Sequence, residues 1–222
     1  MGRRSIVRPA ACYYAPVAST PVFPVALDLS RRPVLMVGGG VHVERKAREL
    51  CEVGAPLTVV AREVCPTIAS LAARGSLAWY ARDFQMQDLA GAGLVILEAQ
   101  DEALARELWT RRRSAGFLLL ALDQPAYCDV WNLATVRRGP VSVSVGSSGQ
   151  APALAGKLRR QLEASLDQQF ADFAREIAAL RASLADLSAA ERRAALERAL
   201  AGFAIEVGVR YPATKGNGAI SE

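Results

Sequence analysis

The stretch PVLMVGGGVHVERKARELCEVGAPLTVVA, residues 33–61, decides the fold. It begins within a short apolar run, Arg32–Gly38, that is typical of a strand buried on both faces. After three glycines the apolar residues recur with helical spacing and share one face: Val43, Ala47, Leu50 and Cys51. Gly54 can end that helix, and Pro56–Ala61 has the pattern of a second strand. This order predicts a β-α-β unit.

The alternation continues along the chain. TIASLAARG and DEALARELWTRRRSAG have helical patterns that end at Gly75 and Gly116, and SLAWYAR, LVILEAQ and FLLLALD have strand patterns between and after them. Strands that alternate with helices imply a doubly wound parallel sheet. The sequence therefore predicts an α/β, Rossmann-like domain.

The pattern changes after Asp123. GPVSVSVGSSG alternates valine with serine, as in a half-exposed strand, and Pro152 is placed to open a helix. Apolar residues spaced three or four apart between Leu162 and Leu187 predict one long amphipathic helix. The spacing of Ser188–Glu191 matches a capping box and predicts a further helix ending near Gly202.

Composition narrows the functional classes. The 222 residues carry a net charge of +5 and a pI near 9.3, which suits an anionic small molecule, a polyanion, or simply a basic surface. The absence of a Lys/Arg block with interleaved aromatics disfavours nucleic acid. No apolar run approaches the ~18 residues of a membrane span, so no membrane partner is expected. The four cysteines lack CxxC spacing, which disfavours a zinc site or a disulfide framework and fits a cytoplasmic protein: Cys12, Cys51, Cys65 and Cys128.

The glycine stretch has the features of a dinucleotide site. Gly38 allows a tight turn, Gly39 continues it, and Gly40 lets the backbone approach a pyrophosphate at the helix that begins near Val41. The third fingerprint position is Val43 rather than glycine or alanine, and we expect it to push helix and strand slightly apart. The alternative is a structural turn in a fold that no longer binds a dinucleotide.

Three side chains are candidates to contact the cofactor, two after the second strand and one beside the glycines. Glu63, at the end of the second strand, would bind ribose hydroxyls and favour NAD, whereas Arg62 would pair with a 2′-phosphate and favour NADP. The sequence leaves both open. His42 is the only histidine, and it is either incidental or a contact to cofactor or metal.

Candidate substrate residues lie further along the chain. Asp123 follows an almost pure leucine strand, where open α/β sheets place ligand chemistry, or it starts a turn before Pro125. The loop Gly146–Pro152, which contains Ser147, leads into a helix and could bind an anion. Nearby cations would bind an acidic substrate or form a solvated face: Arg137, Arg138, Lys157, Arg159 and Arg160. No dedicated metal-ligand cluster is present in the sequence.

Five stretches together resemble the precorrin-2 dehydrogenase family, which in many bacteria forms the front part of sirohaem synthase and often doubles as a sirohydrochlorin ferrochelatase. The resemblance covers about Phe23 to Phe203 and includes FPVALDLSRRPVLMVGGG, ERKARELCEVGAPLTVVA, WYARDFQMQDL, GPVSVSVGSSGQAPALAGKLR and the helical tail. A general Rossmann oxidoreductase has no reason to combine these stretches at these distances.

The resemblance implies a function. NAD would contact Gly38–His42 and Arg62-Glu63, and Asp123 and Ser147 match the family's essential aspartate and its loop serine. The implied reaction oxidises precorrin-2 to sirohydrochlorin, with Asp123 as general base or substrate ligand, and ferrous insertion would add Fe²⁺ as a second substrate. The cations Arg137, Arg138 and Lys157 would bind the carboxylates of this anionic tetrapyrrole.

The resemblance also implies how the chain is divided. We expect a flexible tail at residues 1–20, a dinucleotide-binding domain at 21–132, a homodimerisation segment at 133–165 and a helical domain with a disordered tail at 166–222. The half-exposed VSVSV strand suits a dimer interface because an edge strand needs cover.

Several positions depart from the family. Glu98-Ala99-Gln100-Asp101 stands where Ala-Thr-Asp-Asp is usual. Hydrophobic or basic residues replace usual polar ones or a proline at Ala105, Leu120, Leu133 and Arg137. Lost hydrogen bonds beside a nicotinamide would slow hydride transfer. The alternative function is therefore a divergent paralogue that binds or metallates a tetrapyrrole without oxidising it.

Overall fold

A computed structural model describes residues 22–98, 101–206 and 208–211. The chain divides into two compact units. One unit contains the residues up to Thr135 together with Ser144–Arg160, and the other contains Val136–Val143 and the residues from Gln161 onward. The predicted tails at both ends, and the departures Ala99 and Gln100, lie outside the described residues. The domain boundaries that we expect from the sequence stay a prediction.

The first unit is built on a parallel sheet in the order β3-β2-β1-β4-β5. Val37 at the end of β1 pairs with Val60 of β2 and with Leu97 of β4, so the carboxyl ends of the central strands lie level along one edge. The predicted α/β, Rossmann-like fold is confirmed. The strands are β1 (Val34–Val37), β2 (Leu57–Val60), β3 (Ala78–Tyr80), β4 (Leu94–Leu97) and β5 (Leu118–Ala121).

Helices α1 (Val41–Glu52), α2 (Pro66–Ala73) and α3 (Glu102–Ala115) connect these strands. Two apolar cores result, one containing Val43 with Met36 and Ile68, the other containing Leu108 with Val95 and Leu119. The central strands β1 and β4 are buried at every position, as their continuous apolar runs predict. The sheet is therefore a rigid base for the loops at its carboxyl edge.

A two-stranded sheet follows, formed by β6 (Ala134–Arg138) and β7 (Val141–Val145). In β7 the valines are half-buried and the serines exposed, as their alternation predicts. The loop after β7 leads into helix α4 (Pro152–Ser165), which begins at the proline that the sequence indicates.

The prediction of one long helix from Leu162 to Leu187 is wrong. Helix α4 ends at Ser165 and α5 (Gln168–Ser183) starts afresh, because the Asp167 side chain accepts a hydrogen bond from Phe170 N at 2.9 Å and caps the new helix. The apolar spacing runs through this break because Leu166, between the helices, is itself buried.

The last helix, α6 (Ala189–Ala199), begins as predicted. Ser188 Oγ accepts from Glu191 N at 3.3 Å, and the Glu191 carboxylate accepts from Ser188 N at 3.0 Å. Beside α5, Phe203 stacks on Phe173 with ring centroids 5.2 Å apart. The helical unit therefore closes around a small aromatic cluster.

Candidate active site

The glycine turn between β1 and α1 has the backbone that a dinucleotide phosphate requires. Gly38 adopts a φ of +108°, which side chains rarely tolerate, and its N–H donates to Val60 O at 3.0 Å. Gly40 is the N-cap of α1, without a side-chain cap of its own. A helix N-terminus that follows such a glycine turn suits the backbone binding of a pyrophosphate.

The side chain of Glu98 lies directly over this turn. Glu98 follows β4, the strand next to β1, and its Oε2 accepts a hydrogen bond from Gly40 N at 2.7 Å. A Cβ on Gly38 or on Gly40 would stand 2.7 Å from atoms of the Glu98 side chain. A dinucleotide phosphate fits only after this carboxylate turns away. The sequence singled out Glu98 as a departure from the family, but no sequence pattern indicated this contact.

The two candidates for the ribose end differ in their surroundings. Arg62 forms a two-armed ion pair with Asp83, with Nε 2.6 Å from Oδ1. This guanidinium holds the pKa of the Asp83 carboxyl below its ordinary value, first by hydrogen bonding and then by charge. Glu63, the next residue, is exposed. Asp83 belongs to the WYARDF stretch, and its link to Arg62 was not predicted.

The first residues of α1 are open to solvent. Val41 is 69% exposed, and the neighbouring His42 is exposed as well. Val43, in contrast, is fully buried in the core. Both Val41 and His42 therefore remain accessible to a ligand at the glycine turn, which is the role that the resemblance implies for them.

Asp123 stands in the turn that follows β5, at the carboxyl edge of the sheet. Its φ of +59° places a non-glycine residue in the left-handed region, where aspartate and asparagine are tolerated best. Leu122 N donates to Leu97 O at 2.9 Å and Gln124 N to Ala121 O at 3.3 Å, so the backbone on both sides is fixed. The Asp123 side chain is exposed, as a substrate ligand must be.

Asp123 and Ser147 line one cavity of about 650 Å³. The wall includes two arginines. Arg159 belongs to the basic cluster that the sequence indicates after the loop, whereas Arg45 was not predicted to lie at a site. Its apolar part contains Leu120 and Leu133, both noted as departures from the family, with Cys128, Val130 and Trp131. A cavity of this size with one carboxylate, two serines and two arginines suits a bulky ligand that carries carboxylates.

The loop that carries Ser147 is held tightly. Ser147 Oγ accepts from Ala151 N at 3.2 Å, and Gln150 N donates to Ser147 O at 2.9 Å. Gly149 adopts a φ of +76°, and a Cβ there would stand 2.9 Å from the Trp131 ring. The Ser147 hydroxyl keeps its own hydrogen to donate to a ligand.

The cations Arg137, Arg138 and Lys157, which the sequence predicts as substrate ligands, are not among the residues that line this cavity. Arg138 donates to Glu163 O at 3.0 Å and to Leu166 O at 2.5 Å, which fixes its guanidinium on the end of α4. Arg137 and Lys157 are exposed. Their role toward a substrate stays a prediction. Arg45 has no local sequence signal, because it forms an i,i+4 ion pair with Glu49 on α1 and only the fold brings it to the cavity wall.

A buried arginine supports the segment that follows Asp123. The Arg112 side chain, 8% exposed, donates from Nε to Asp129 Oδ1 at 3.0 Å. Asp129 Oδ2 also accepts from Leu119 N at 3.1 Å, and Asp129 N donates to Leu119 O at 2.8 Å. These bonds tie the segment leading to the cavity wall onto β5.

Neither a metal cluster nor a bilayer-spanning helix is found in the described part of the chain. No group of three or more His, Cys, Asp and Glu side chains there could hold a metal ion. The described helices are all too short or too polar to cross a membrane.

Known proteins resemble this chain in the region of the site. Residues 25–134 match a family model described as putative NAD(P)-binding. Over these residues the chain is similar to that NAD(P)-binding family. Siroheme synthase 3 of Aeromonas hydrophila subsp. hydrophila is 37% identical over 179 residues, covering 80% of this chain and 38% of that protein. Siroheme synthase of Neisseria meningitidis serogroup C is 35% identical over 152 residues, covering 68% and 32%. The chain thus spans about a third of the length of these relatives.

A solved structure, the precorrin-2 dehydrogenase SirC, has the same fold. Its TM-score is 0.66 at 22% identity, and the match covers 80% of this chain and 88% of that one. The resemblance to this family that the sequence indicates is confirmed. The nicotinamide-binding family model extends through the glycine turn and Arg62-Glu63 to the residues of the cavity wall before Thr135.

Proposed function

We propose that this chain catalyses the NAD-dependent oxidation of precorrin-2 to sirohydrochlorin in sirohaem biosynthesis. The observation that carries the proposal is the cavity of about 650 Å³ in which Asp123 and Ser147 meet two arginines. The NAD(P)-binding family model and the siroheme synthase relatives support the same chemistry.

When bound at the glycine turn, NAD would supply the acceptor for the hydride that leaves the macrocycle. Asp123 takes the proton that leaves with it, so that two electrons and two hydrogens are removed in total. Arg45 and Arg159 bind peripheral carboxylates, and Ser147 donates a hydrogen bond to another. The backbone of the turn around Asp123 is fixed at both ends, which limits the positions that its carboxylate can take.

We propose NAD rather than NADP as the cofactor. Arg62 would be the partner of a 2′-phosphate, but Asp83 already occupies its guanidinium with two hydrogen bonds. Binding NADP would break this pair or bring the phosphate close to the Asp83 carboxylate. Glu63, exposed beside it, remains available for the ribose hydroxyls of NAD.

The further partners are proposals from the family resemblance. Ferrous ion would be a second substrate, inserted into sirohydrochlorin while Asp123 accepts protons from the pyrrole nitrogens. The chain would act as a cytoplasmic homodimer through residues 133–165, without nucleic acid or membrane partners. The substrate-binding role of Arg137, Arg138 and Lys157 belongs to the same proposal.

The test uses the whole purified chain with precorrin-2 and either NAD or NADP, and follows sirohydrochlorin by its absorbance. We expect turnover with NAD. Asp123→Asn, which keeps the left-handed backbone, should lower kcat by ~100-fold or more, the usual contribution of a general base. Asp186→Asn, on the exposed surface after α5, is the control and should keep full turnover. Full activity of Asp123→Asn would contradict the assigned role.

A second candidate function is a tetrapyrrole-binding or metallating relative that does not oxidise its ligand. The carboxylate of Glu98 on Gly40 N favours it, because this contact competes with the dinucleotide phosphate. It predicts binding of sirohydrochlorin without a change of colour when precorrin-2 and NAD are supplied.

A further inference from the structure

The carboxylate of Glu98 occupies the place where the first turn of α1 would hold a phosphate. Its Oε2 accepts from Gly40 N at 2.7 Å, and its side-chain atoms come within 2.7 Å of the Cβ positions of both Gly38 and Gly40. The missing side chains of these glycines leave the space that a pyrophosphate needs. In this protein the space holds the end of Glu98.

Two anions cannot share this position. The N–H of Gly40 has one hydrogen, so a phosphate oxygen can bind there only after the carboxylate leaves. If the carboxylate stays nearby, it repels the phosphate at short range in a half-buried setting, where Coulomb energies exceed those in bulk water. The positive end of the α1 dipole also favours whichever anion lies there.

We propose that Glu98 is an intramolecular competitor of the dinucleotide pyrophosphate and thereby sets the affinity of this chain for its cofactor. The inference deepens the proposed function, since it rests on a dinucleotide binding at the glycine turn. The side chain leaves the turn when the pyrophosphate binds. Removing the carboxylate therefore tightens binding instead of weakening it.

Two substitutions separate charge from bulk. Glu98→Ala removes both the carboxylate and its volume, and it should tighten NAD binding about tenfold, as expected for release of one charge-assisted hydrogen bond. Glu98→Gln keeps the size and an oxygen that can accept from Gly40 N, but loses the charge. It should give a smaller gain, about threefold. Binding is measured by calorimetry on the whole chain, and thermal melting checks that each variant is folded.

The ligands provide an internal control. ADP-ribose carries the pyrophosphate without nicotinamide and should show the same gain in Glu98→Ala as NAD does. Adenosine carries no phosphate, so its affinity should be the same in wild type and variant. Glu107→Gln, which removes a carboxylate from an exposed ion pair with Arg111 on α3, controls for the change of net charge. It should leave all three affinities unchanged.

The outcomes are separable from those of the proposed function. Tighter binding of NAD and ADP-ribose to Glu98→Ala, with adenosine unchanged, supports the inference even if the wild type oxidises no precorrin-2. Equal or weaker binding in Glu98→Ala overturns it, even if the wild type turns over normally. A gain that appears equally with adenosine or in Glu107→Gln also overturns it, because the effect would then be unrelated to the pyrophosphate.

Discussion

Asp129→Ala should destabilise the sheet-containing unit, because it leaves Arg112 without its carboxylate partner, with the Trp109 carbonyl and ring as its remaining polar contacts among the described residues. The Arg112 side chain is only 8% exposed, and Asp129 receives its Nε–H at 3.0 Å. The substitution also removes the acceptor of Leu119 N, which Asp129 Oδ2 binds at 3.1 Å. The Asp129 side chain is more exposed than that of Arg112. Most of the expected loss of folding free energy therefore comes from the arginine, which water reaches less easily.

The expected loss can be estimated from these contacts. Breaking a buried pair by removing one partner costs about 3–5 kcal/mol. Asp129 is 24% exposed and Arg112 keeps the Trp109 carbonyl as an acceptor, which places the expected loss at the lower end of this range, about 3 kcal/mol. Arg112→Met should cost less, since the remaining carboxylate keeps its bond to Leu119 N and some contact with water. Glu107→Gln, in an exposed pair, should cost less than about 0.5 kcal/mol.

Urea unfolding followed by tryptophan fluorescence measures this loss selectively. The three tryptophans of the chain are Trp79, Trp109 and Trp131, and all belong to the unit that contains the sheet. A loss below about 1 kcal/mol in Asp129→Ala, or a larger loss in Arg112→Met, would refute the argument that the buried cation depends on Asp129. The same variant should lower turnover, because the tied segment leads to the wall of the cavity with Asp123.

Three further predictions concern the cavity wall. Burial raises the pKa of the Cys128 thiol to about 11, so iodoacetamide should alkylate it at pH 8 about 100-fold more slowly in the native protein than in urea, as mass spectrometry would show. The stability that this raised pKa contributes is complete below pH 9 and is lost as the pH rises toward 11. The urea midpoint of Cys128→Ala should therefore fall less over that range than the midpoint of the wild type. An equal fall in both proteins would contradict this prediction. Gly149→Ala should destabilise more than Gly91→Ala, by about 1 kcal/mol or more. Both glycines have a φ near +77°, but only at Gly149 would a Cβ meet a described atom, the Trp131 ring, within 4 Å. Equal urea midpoints in the two variants would show that this contact does not destabilise Gly149→Ala.

The fold could be predicted because its signals are local. The apolar runs of β1 and β2, the helical spacing of α1 and the glycines between them are each visible within a few residues, and the parallel sheet follows from their alternation. The break at Asp167 was missed because the apolar period continues through it. An aspartate two residues after the last residue of a helix is the signal that could have revealed the new N-terminus.

The site was only partly predictable because its contacts join distant parts of the chain. Asp123 and Ser147 were singled out, and the cavity brings them together. The bond between Glu98 and Gly40 spans 58 residues, and the pair of Arg62 with Asp83 spans 21. Such contacts depend on strand order and side-chain rotamers, which periodicity does not specify. A family comparison marked Glu98 as unusual, yet only the structure shows what it touches.

The order of the sheet also limits how early it can assemble during synthesis. Strand β1 is the centre of the sheet, and its second neighbour, β4, ends at Leu97, roughly 60 residues after Val37. At ~5–20 residues per second, a ribosome needs about 3–12 seconds to add that length. During this interval one edge of an entirely apolar strand has no partner in the nascent chain. Chaperone demand and aggregation during expression should therefore depend on translation speed between these two strands more than on speed in the helical unit.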